Sequence, residues 1–222
     1  RLMLPMLAKD FKAREKFIEY PVHVQPKLDG VRCLSYWKDG HVVLMSRSGK
    51  PYNVPHIVKE LESFLPKDVI LDGEIYIHGE PFQAITSWVK KMYPGYTDQL
   101  EYHVYDCILS FSEGDMPWSH RNNALTFLFS KKPTKSTHII PVASHVASSK
   151  KDVETLQNDF VSQGNEGAIV RCLDGKYQFG YRSSELLKVK SFDDAEYTIT
   201  GFVSGVGKFK DCVIWVCETA SG

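Results

Sequence analysis

The stretch Gln25-Pro26-Lys27-Leu28-Asp29-Gly30-Val31-Arg32 decides how the rest of the chain is read. It sets a lysine in an apolar setting, a carboxylate two residues on, a glycine able to take positive φ, and then an arginine. An ε-ammonium gives up its proton near neutral pH when burial or other cations disfavour the charged form, and the free amine is a nucleophile. A guanidinium close by suits a phosphate. The combination points to a nucleophile built beside a phosphate, with Lys27 placed to attack phosphorus. Taken alone, the same letters also fit a solvated surface turn, Asp-Gly being a common turn pair.

Composition narrows the setting. A chain of 222 residues with 43% hydrophobic content can bury a sizeable core and hold one large domain plus part of another. It shows neither an apolar run long enough to cross a bilayer nor a charged-then-apolar opening signal, so a soluble protein without a membrane span is expected. Cys33, Cys107, Cys172, Cys212 and Cys217 are scattered without a Cys-x-x-Cys pair. They indicate neither zinc nor a disulfide framework, and reduced thiols in an intracellular protein of cytoplasm or nucleus are expected. The 27 Lys and Arg residues balance 27 Asp and Glu residues, which argues against a surface that grips a polyanion everywhere. Any nucleic-acid contact must be local. Residues 9–16, 131–135 and 150–151 are candidate basic patches, and each also fits a solvated face.

Periodicity places the motifs. Leu4, Leu7 and Phe11 have helix-like spacing, and the charged run 12–19 reads as a short helix. Strands are expected over 22–27 and 31–37, then a hairpin at Asp39-Gly40 into 42–45. Lys27 would then sit at a strand end and Arg47 on the loop past the hairpin. A helix opens at Asn53 and Pro55 and stops at Pro66; Asp72 and Glu74 share one face of a strand over 69–77. Further on come a helix over 82–91, a strand over 102–110, a capped helix from Pro117 and Ser119 to Ser130, and one strand over 139–146. Ser149 caps a helix whose Val153, Leu156, Phe160 and Val161 form one stripe, ending at Gly164. Strands over 167–172 and 186–191 flank a loop, 174–184, suited to substrate contact. After Phe192 the pattern alternates over 196–203 and 212–218.

The segment Lys27-Leu28-Asp29-Gly30-Val31-Arg32 resembles the first signature motif of the covalent nucleotidyltransferases, the superfamily of ATP-dependent DNA ligases, RNA ligases and mRNA capping enzymes. Four more stretches fall in that family's order: Ser46-Arg47-Ser48-Gly49-Lys50, Leu71-Asp72-Gly73-Glu74-Ile75, Glu166-Gly167-Ala168-Ile169-Val170-Arg171, and Leu186-Leu187-Lys188-Val189-Lys190. A weaker one is Val104-Tyr105-Asp106, where the ligases usually carry Phe-Asp. The Glu-Gly opening at 166 and the lead-in Pro5-Met6-Leu7-Ala8 are most similar to small ATP-dependent DNA ligases of viral or phage type. The resemblance implies an α+β fold: an adenylation (nucleotidyltransferase) domain of antiparallel sheets with flanking helices over 1–191, then the incomplete start of an OB-fold barrel over 192–222. The family's last motif is not found before Gly222, and the chain opens on Arg1 rather than methionine, so the sequence reads as a piece of a longer protein.

The resemblance also implies roles. Lys27 would attack the α-phosphorus of ATP and hold AMP as a phosphoramidate, for transfer to the 5′-phosphate of nicked duplex DNA and sealing by the 3′-hydroxyl. Such a monomeric ligase would serve DNA replication, repair and recombination. Lys188 and Lys190, alternate residues on a strand, would share a face and neutralise the α-phosphate. Glu74 and Glu166 would hold Mg2+ (or Mn2+), and Glu74 could instead bind the ribose hydroxyl. Tyr105 would stack on adenine, Gln25 would read the base edge, Arg32 would contact the ribose, and Arg32 with Arg47 would hold the 5′-phosphate of the nick. Asp29 would order the loop after the nucleophile. A paired-carboxylate hydrolase built on Asp72 and Glu74 is a weak reading, because alternating acids on a strand usually mark an exposed face. An RNA ligase or mRNA-capping guanylyltransferase shares the first step. A non-catalytic nucleic-acid-binding module would need broken chemistry, whereas Lys27, Glu74, Glu166, Lys188 and Lys190 are all present.

Overall fold

Two-residue alternation builds the centre of the molecule, because side chains of successive strand residues fall on opposite faces. The computed structural model describes residues 3–190, 198–204 and 213–218. In chain order the elements are β1 (Leu7–Asp10), α1 (Phe11–Arg14), β2 (Val22–Lys27), β3 (Val31–Lys38), β4 (His41–Ser46), α2 (Pro55–Glu62), β5 (Val69–Tyr76) and α3 (Phe82–Lys90). There follow β6 (Glu101–Leu109), α4 (Trp118–Ser130), β7 (Ile139–Pro141), β8 (His145–Ala147), α5 (Lys150–Ser162), β9 (Gly167–Cys172) and β10 (Arg182–Lys190). The chain divides into two units, Arg1–Ser191 and Phe192–Gly222. In the second, β11 (Thr198–Ser204) pairs antiparallel with β12 (Val213–Glu218). The connection between these two strands, over 205–212, lies outside the described residues.

The first unit holds two five-stranded sheets, ordered β1-β10-β9-β2-β8 and β4-β3-β5-β6-β7. Pairing is antiparallel except at β1–β10 and β6–β7. The second sheet buries Leu71, Ile75 and Val104 against Ile57 and Leu61 of α2, Ile85 and Val89 of α3, and Leu125 and Leu128 of α4. The first sheet buries Val22, Val24, Val170 and Leu187 against Val153 and Phe160 of α5. Full burial of each such side chain is worth about 1.5–3 kcal/mol. A third, smaller cluster joins Ile70 and Ile108 of the second sheet to Leu186 of the first, with Met6 and Tyr177. Among the described residues no helix is long and apolar enough to cross a membrane.

The β3–β4 hairpin turns at Asp39 and Gly40, both at positive φ (50° and 85°), as the primed turns of tight hairpins require. The Ser149 hydroxyl accepts from the Asp152 amide at 3.2 Å and caps α5 as expected.

Five expectations need correction. Leu7 lies in a strand, not a helix, because β10 offers it a parallel edge. The single strand expected over 139–146 is two: β7 pairs with β6 in one sheet and β8 with β2 in the other, so the chain crosses between sheets at 142–144. Ser119 lies inside α4, whose N-cap is Pro117 without a side-chain cap. Val161 is 39% exposed and falls off the α5 stripe, which Gln157 joins. In the loop expected to meet substrate, Tyr177 is buried and serves the core.

Candidate active site

Pairing of β2 with β9 sets Lys27 opposite Gly167, and the Glu166 amide donates to the Lys27 carbonyl at 3.0 Å. The Lys27 ammonium consequently meets the Glu166 carboxylate in a salt bridge. Register continues through β10, so Lys27, Gly167 and Lys190 are backbone partners in one cross-strand row, and Gln25, Ile169 and Lys188 in another two residues along. Lys188 Nζ stands 3.5 Å from Asp10.

Lys27 and Lys188 line a cavity of about 400 Å³ to which both sheets contribute, with Arg32, Glu74 and Tyr105 from the second. Arg47 and Phe82 also line it. The exposed Arg47 sits on a tight turn closed by Ser46, whose hydroxyl accepts from the Lys50 amide at 2.9 Å, with Gly49 at φ 78°. Gly30 brings the loop after Lys27 flat onto β5: a Cβ there would collide with the Ile75 carbonyl oxygen and stand 2.8 Å from Glu74 Cγ. Only glycine permits that approach.

A β-bulge shapes the opposite wall. Asp72 pairs with Asp106 and Gly73 with Val104, leaving Tyr105 as the extra residue of β6. Bulges re-aim side chains. Here Val104 and Cys107 stay in the helix-covered core while Tyr105 bonds Glu74 and Asp106 bonds arginines. The Tyr105 hydroxyl donates to Glu74 Oε1 at 2.8 Å, and its ring has the Arg32 and Arg171 guanidinium carbons 5.3 and 5.5 Å from its centroid. Burial pushes the Glu74 carboxyl up to about 7, against the pull of Arg32, of the Tyr105 hydrogen bond and of Lys27. Burial also raises the Tyr105 phenol well above its usual value.

Two buried ion clusters lie behind this wall. Arg32 grips Asp72 with both Nε (2.6 Å) and Nη2 (2.7 Å), and the Tyr177 hydroxyl donates to the same carboxylate at 2.5 Å. Asp72 is therefore no exposed acid; it is fully buried, which disposes of the hydrolase pairing. Asp106 accepts from Arg121 Nε (2.9 Å) and Arg171 Nη1 (2.6 Å), all three side chains being buried. Gln25 is also redirected: it is 1% exposed, its amide donates to the Tyr105 carbonyl and the Ser144 hydroxyl, and Oε1 accepts from Arg171 Nε at 2.7 Å. With both donors spent inside the protein, it has none left to offer a base edge.

Sequence reasoning missed Arg121, Arg171 and Tyr177 as members of these clusters. A signal existed for Arg171, since an arginine ending the apolar run Ala168-Ile169-Val170 on a central strand must find a buried counter-ion. Among the described residues no group of three or more His, Cys, Asp or Glu side chains could hold a metal ion. Glu74 and Glu166 remain as oxygen donors. They fit a hard cation held by one or two carboxylates together with phosphate oxygens.

A lysine paired with a carboxylate at the end of β2 thus stands in a cleft walled by aromatic, carboxylate and guanidinium groups. Comparison with known proteins gives the family. A family model, ATP dependent DNA ligase domain, matches residues 5–190. A DNA ligase of African swine fever virus is 34% identical over 228 residues, covering 96% of this chain and 53% of its own length. The solved Chlorella virus DNA ligase-adenylate superposes with a TM-score of 0.72 at 27% identity, covering 97% of this chain and 77% of that one. An ATP-dependent DNA ligase from bacteriophage T7, in complex with ATP, shares the fold at a TM-score of 0.67 and 17% identity, over 92% of this chain and 73% of that one. The chain belongs to the ATP-dependent DNA ligase domain family. It spans about half the length of the curated viral ligases it matches.

Proposed function

We propose that the chain is the adenylation part of an ATP-dependent DNA ligase, binding ATP in the cavity and taking AMP onto Lys27. The observation that carries this reading is the Lys27–Glu166 pair on a cavity also lined by Tyr105, Glu74, Arg32 and Lys188. The Lys27 ammonium must first lose a proton, and the Glu166 carboxylate is the acceptor already in contact with it. The free amine attacks the α-phosphorus; an N–P bond forms, the P–O bond to pyrophosphate breaks, and pyrophosphate leaves with the electron pair. Lys188 and Lys190, in neighbouring cross-strand rows beside Lys27, supply positive charge to the α-phosphate. Tyr105 carries the adenine, Glu74 the ribose, and Arg32 keeps an edge on the cavity while Asp72 fixes it. Magnesium or manganese, when bound by Glu166 and Glu74, supplies further charge neutralisation to the triphosphate.

AMP then passes to the 5′-phosphate of a nick in duplex DNA held by Arg47 and Arg32, and the 3′-hydroxyl displaces it. The protein acts as a monomer inside the cell, in replication, repair or recombination. The unit over 192–222 opens an OB-fold barrel.

Incubation with magnesium and α-labelled ATP or GTP, followed by a denaturing gel, tests the reading. Label from ATP alone, absent in a folded Lys27→Ala variant, is the expected result. An undiminished adduct in Lys27→Ala would sink the assignment, and label from GTP would move the chain to the capping enzymes. Pre-adenylylated nicked DNA then tests sealing apart from the first step.

A further inference from the structure

Tyr105 differs from the phenylalanine of the ligase motif by one oxygen, and that oxygen has a partner. The hydroxyl donates to Glu74 Oε1 at 2.8 Å, with the Gly73 carbonyl at 3.1 Å as its alternative acceptor. Glu74 needs an anchor. Its neighbour Arg32 is already committed to Asp72, and the Lys27 ammonium to Glu166. From the other side Gly30 confines its methylene chain, a Cβ on Gly30 falling 2.8 Å from Glu74 Cγ. Oε1 is thus tied to the phenol, while Oε2 makes no hydrogen bond among the described residues. Both residues line the cavity, and the bulge that projects Tyr105 sets its ring and its hydroxyl in one piece.

An aromatic face takes a base of any kind, whereas a carboxylate oxygen accepts specifically from a sugar hydroxyl. Joining the two through one hydrogen bond fixes the distance between base platform and sugar acceptor. We propose that Tyr105 is a positioning residue whose hydroxyl holds Glu74 for a ribose hydroxyl, so that the site selects ribonucleotides over deoxyribonucleotides. The proposal rests on the reading that the cavity binds ATP. An oriented carboxylate acceptor rewards the hydroxyl that reaches it, and one that swings free loses most of that reward to rotamer entropy.

Affinities of the whole chain for ATP, 2′-deoxy-ATP and 3′-deoxy-ATP, measured by titration calorimetry, test the idea without requiring turnover. The wild-type protein is expected to favour ATP over the weaker of the two deoxynucleotides about tenfold, the worth of one hydrogen bond to a charged group. Tyr105→Phe is expected to shrink that ratio to below about threefold. In a Glu74→Ala background Tyr105→Phe changes the ratio no further, because the hydroxyl acts only through Glu74. A Tyr105→Phe protein as selective as the wild type, or one that loses all three nucleotides in equal proportion, overturns the proposal and leaves the adenylation reading standing. So does a wild-type protein that binds the three equally. No binding of any of the three overturns the nucleotide site itself. Should Tyr105→Phe fail to fold, Glu74→Ala decides: retention of the full preference for ATP in that variant refutes the role.

Discussion

Asp106 shows how much of this site rests on residues that touch no ligand. One carboxylate answers two arginines, Arg121 and Arg171, with all three side chains buried. Arg171 carries the contact onward to Gln25, two residues before Lys27. Removing one partner of such a group strands charge in a medium that solvates it poorly, at about 3–5 kcal/mol. Asp106→Ala is expected to lose that much in urea unfolding, and a loss below about 1 kcal/mol would show that water reaches the two guanidinium groups. At this scale the short string 25–32 already holds Lys27, Gly30 and Arg32, which the structure brings together on the cavity lining. The tie of Gln25 to Arg171 was not legible, because Arg171 lies 146 residues away and nothing in the string 25–32 announces it.

Elements were legible where burial repeats with the period of the element. β2 through β6 and α2, α3 and α5 sit where alternation and helical spacing put them. The β7–β8 split was not, since Ile139, Ile140, Val142 and Val146 read as one strand while the chain changes sheets between them. Nor was the bulge at Tyr105, a matter of register with β5 that one strand alone does not encode. Two element-scale outcomes follow from contacts. The Ser149 cap on α5 is worth about 1 kcal/mol, so Ser149→Ala should lower the urea midpoint accordingly, while an unchanged midpoint would mean that Asp152 alone holds the helix start. The second concerns His56, which ties α2 to the residue before β6 by donating Nε2–H to the Leu100 carbonyl at 2.7 Å, leaving Nδ1 buried without a partner. Burial first, then His138, whose ring lies 4.7 Å away, lowers its pKa against the opposing pull of the Leu100 carbonyl, Glu60 and Asp98. A depressed folded pKa makes stability full above the unfolded value near 6.5 and erodes it as pH falls through the folded one. His56→Gln should therefore lose less stability than the wild type between about pH 7.5 and 5.5, and an equal loss would assign the acid sensitivity to other groups.

The whole molecule is formally neutral, with 27 cationic and 27 anionic side chains, yet the cavity gathers Lys27, Arg32, Arg47, Arg171, Arg182 and Lys188 along its lining. Glu74, held up to about 7 by burial, is the one acid among those lining residues and adds only part of a negative charge at neutral pH. Lys27, Arg32, Arg171 and Lys188 each face a carboxylate outside that lining, so among the described residues Arg47 and Arg182 are left to attract a polyanion to this one place. Each phosphate neutralised contributes about 0.9 to the slope of log affinity against log salt, so a grip confined to the cleft gives a shallow slope compared with a protein coated in lysine. Arg47 is exposed on the turn after β4 and stands at the rim of that lining. Its removal should reduce the slope for nicked duplex DNA by about 1, where removal of a residue that contacts only nucleotide would leave the slope alone. The kinetic consequence differs by step. Transfer of AMP from Lys27 to the nick should fall at least about tenfold more than self-adenylylation in Arg47→Ala, since a lost charge-assisted bond to phosphate costs about 1.5–3 kcal/mol. Equal losses in both steps, with an unchanged salt slope, would place Arg47 on the triphosphate of ATP instead of on the phosphate of the nick.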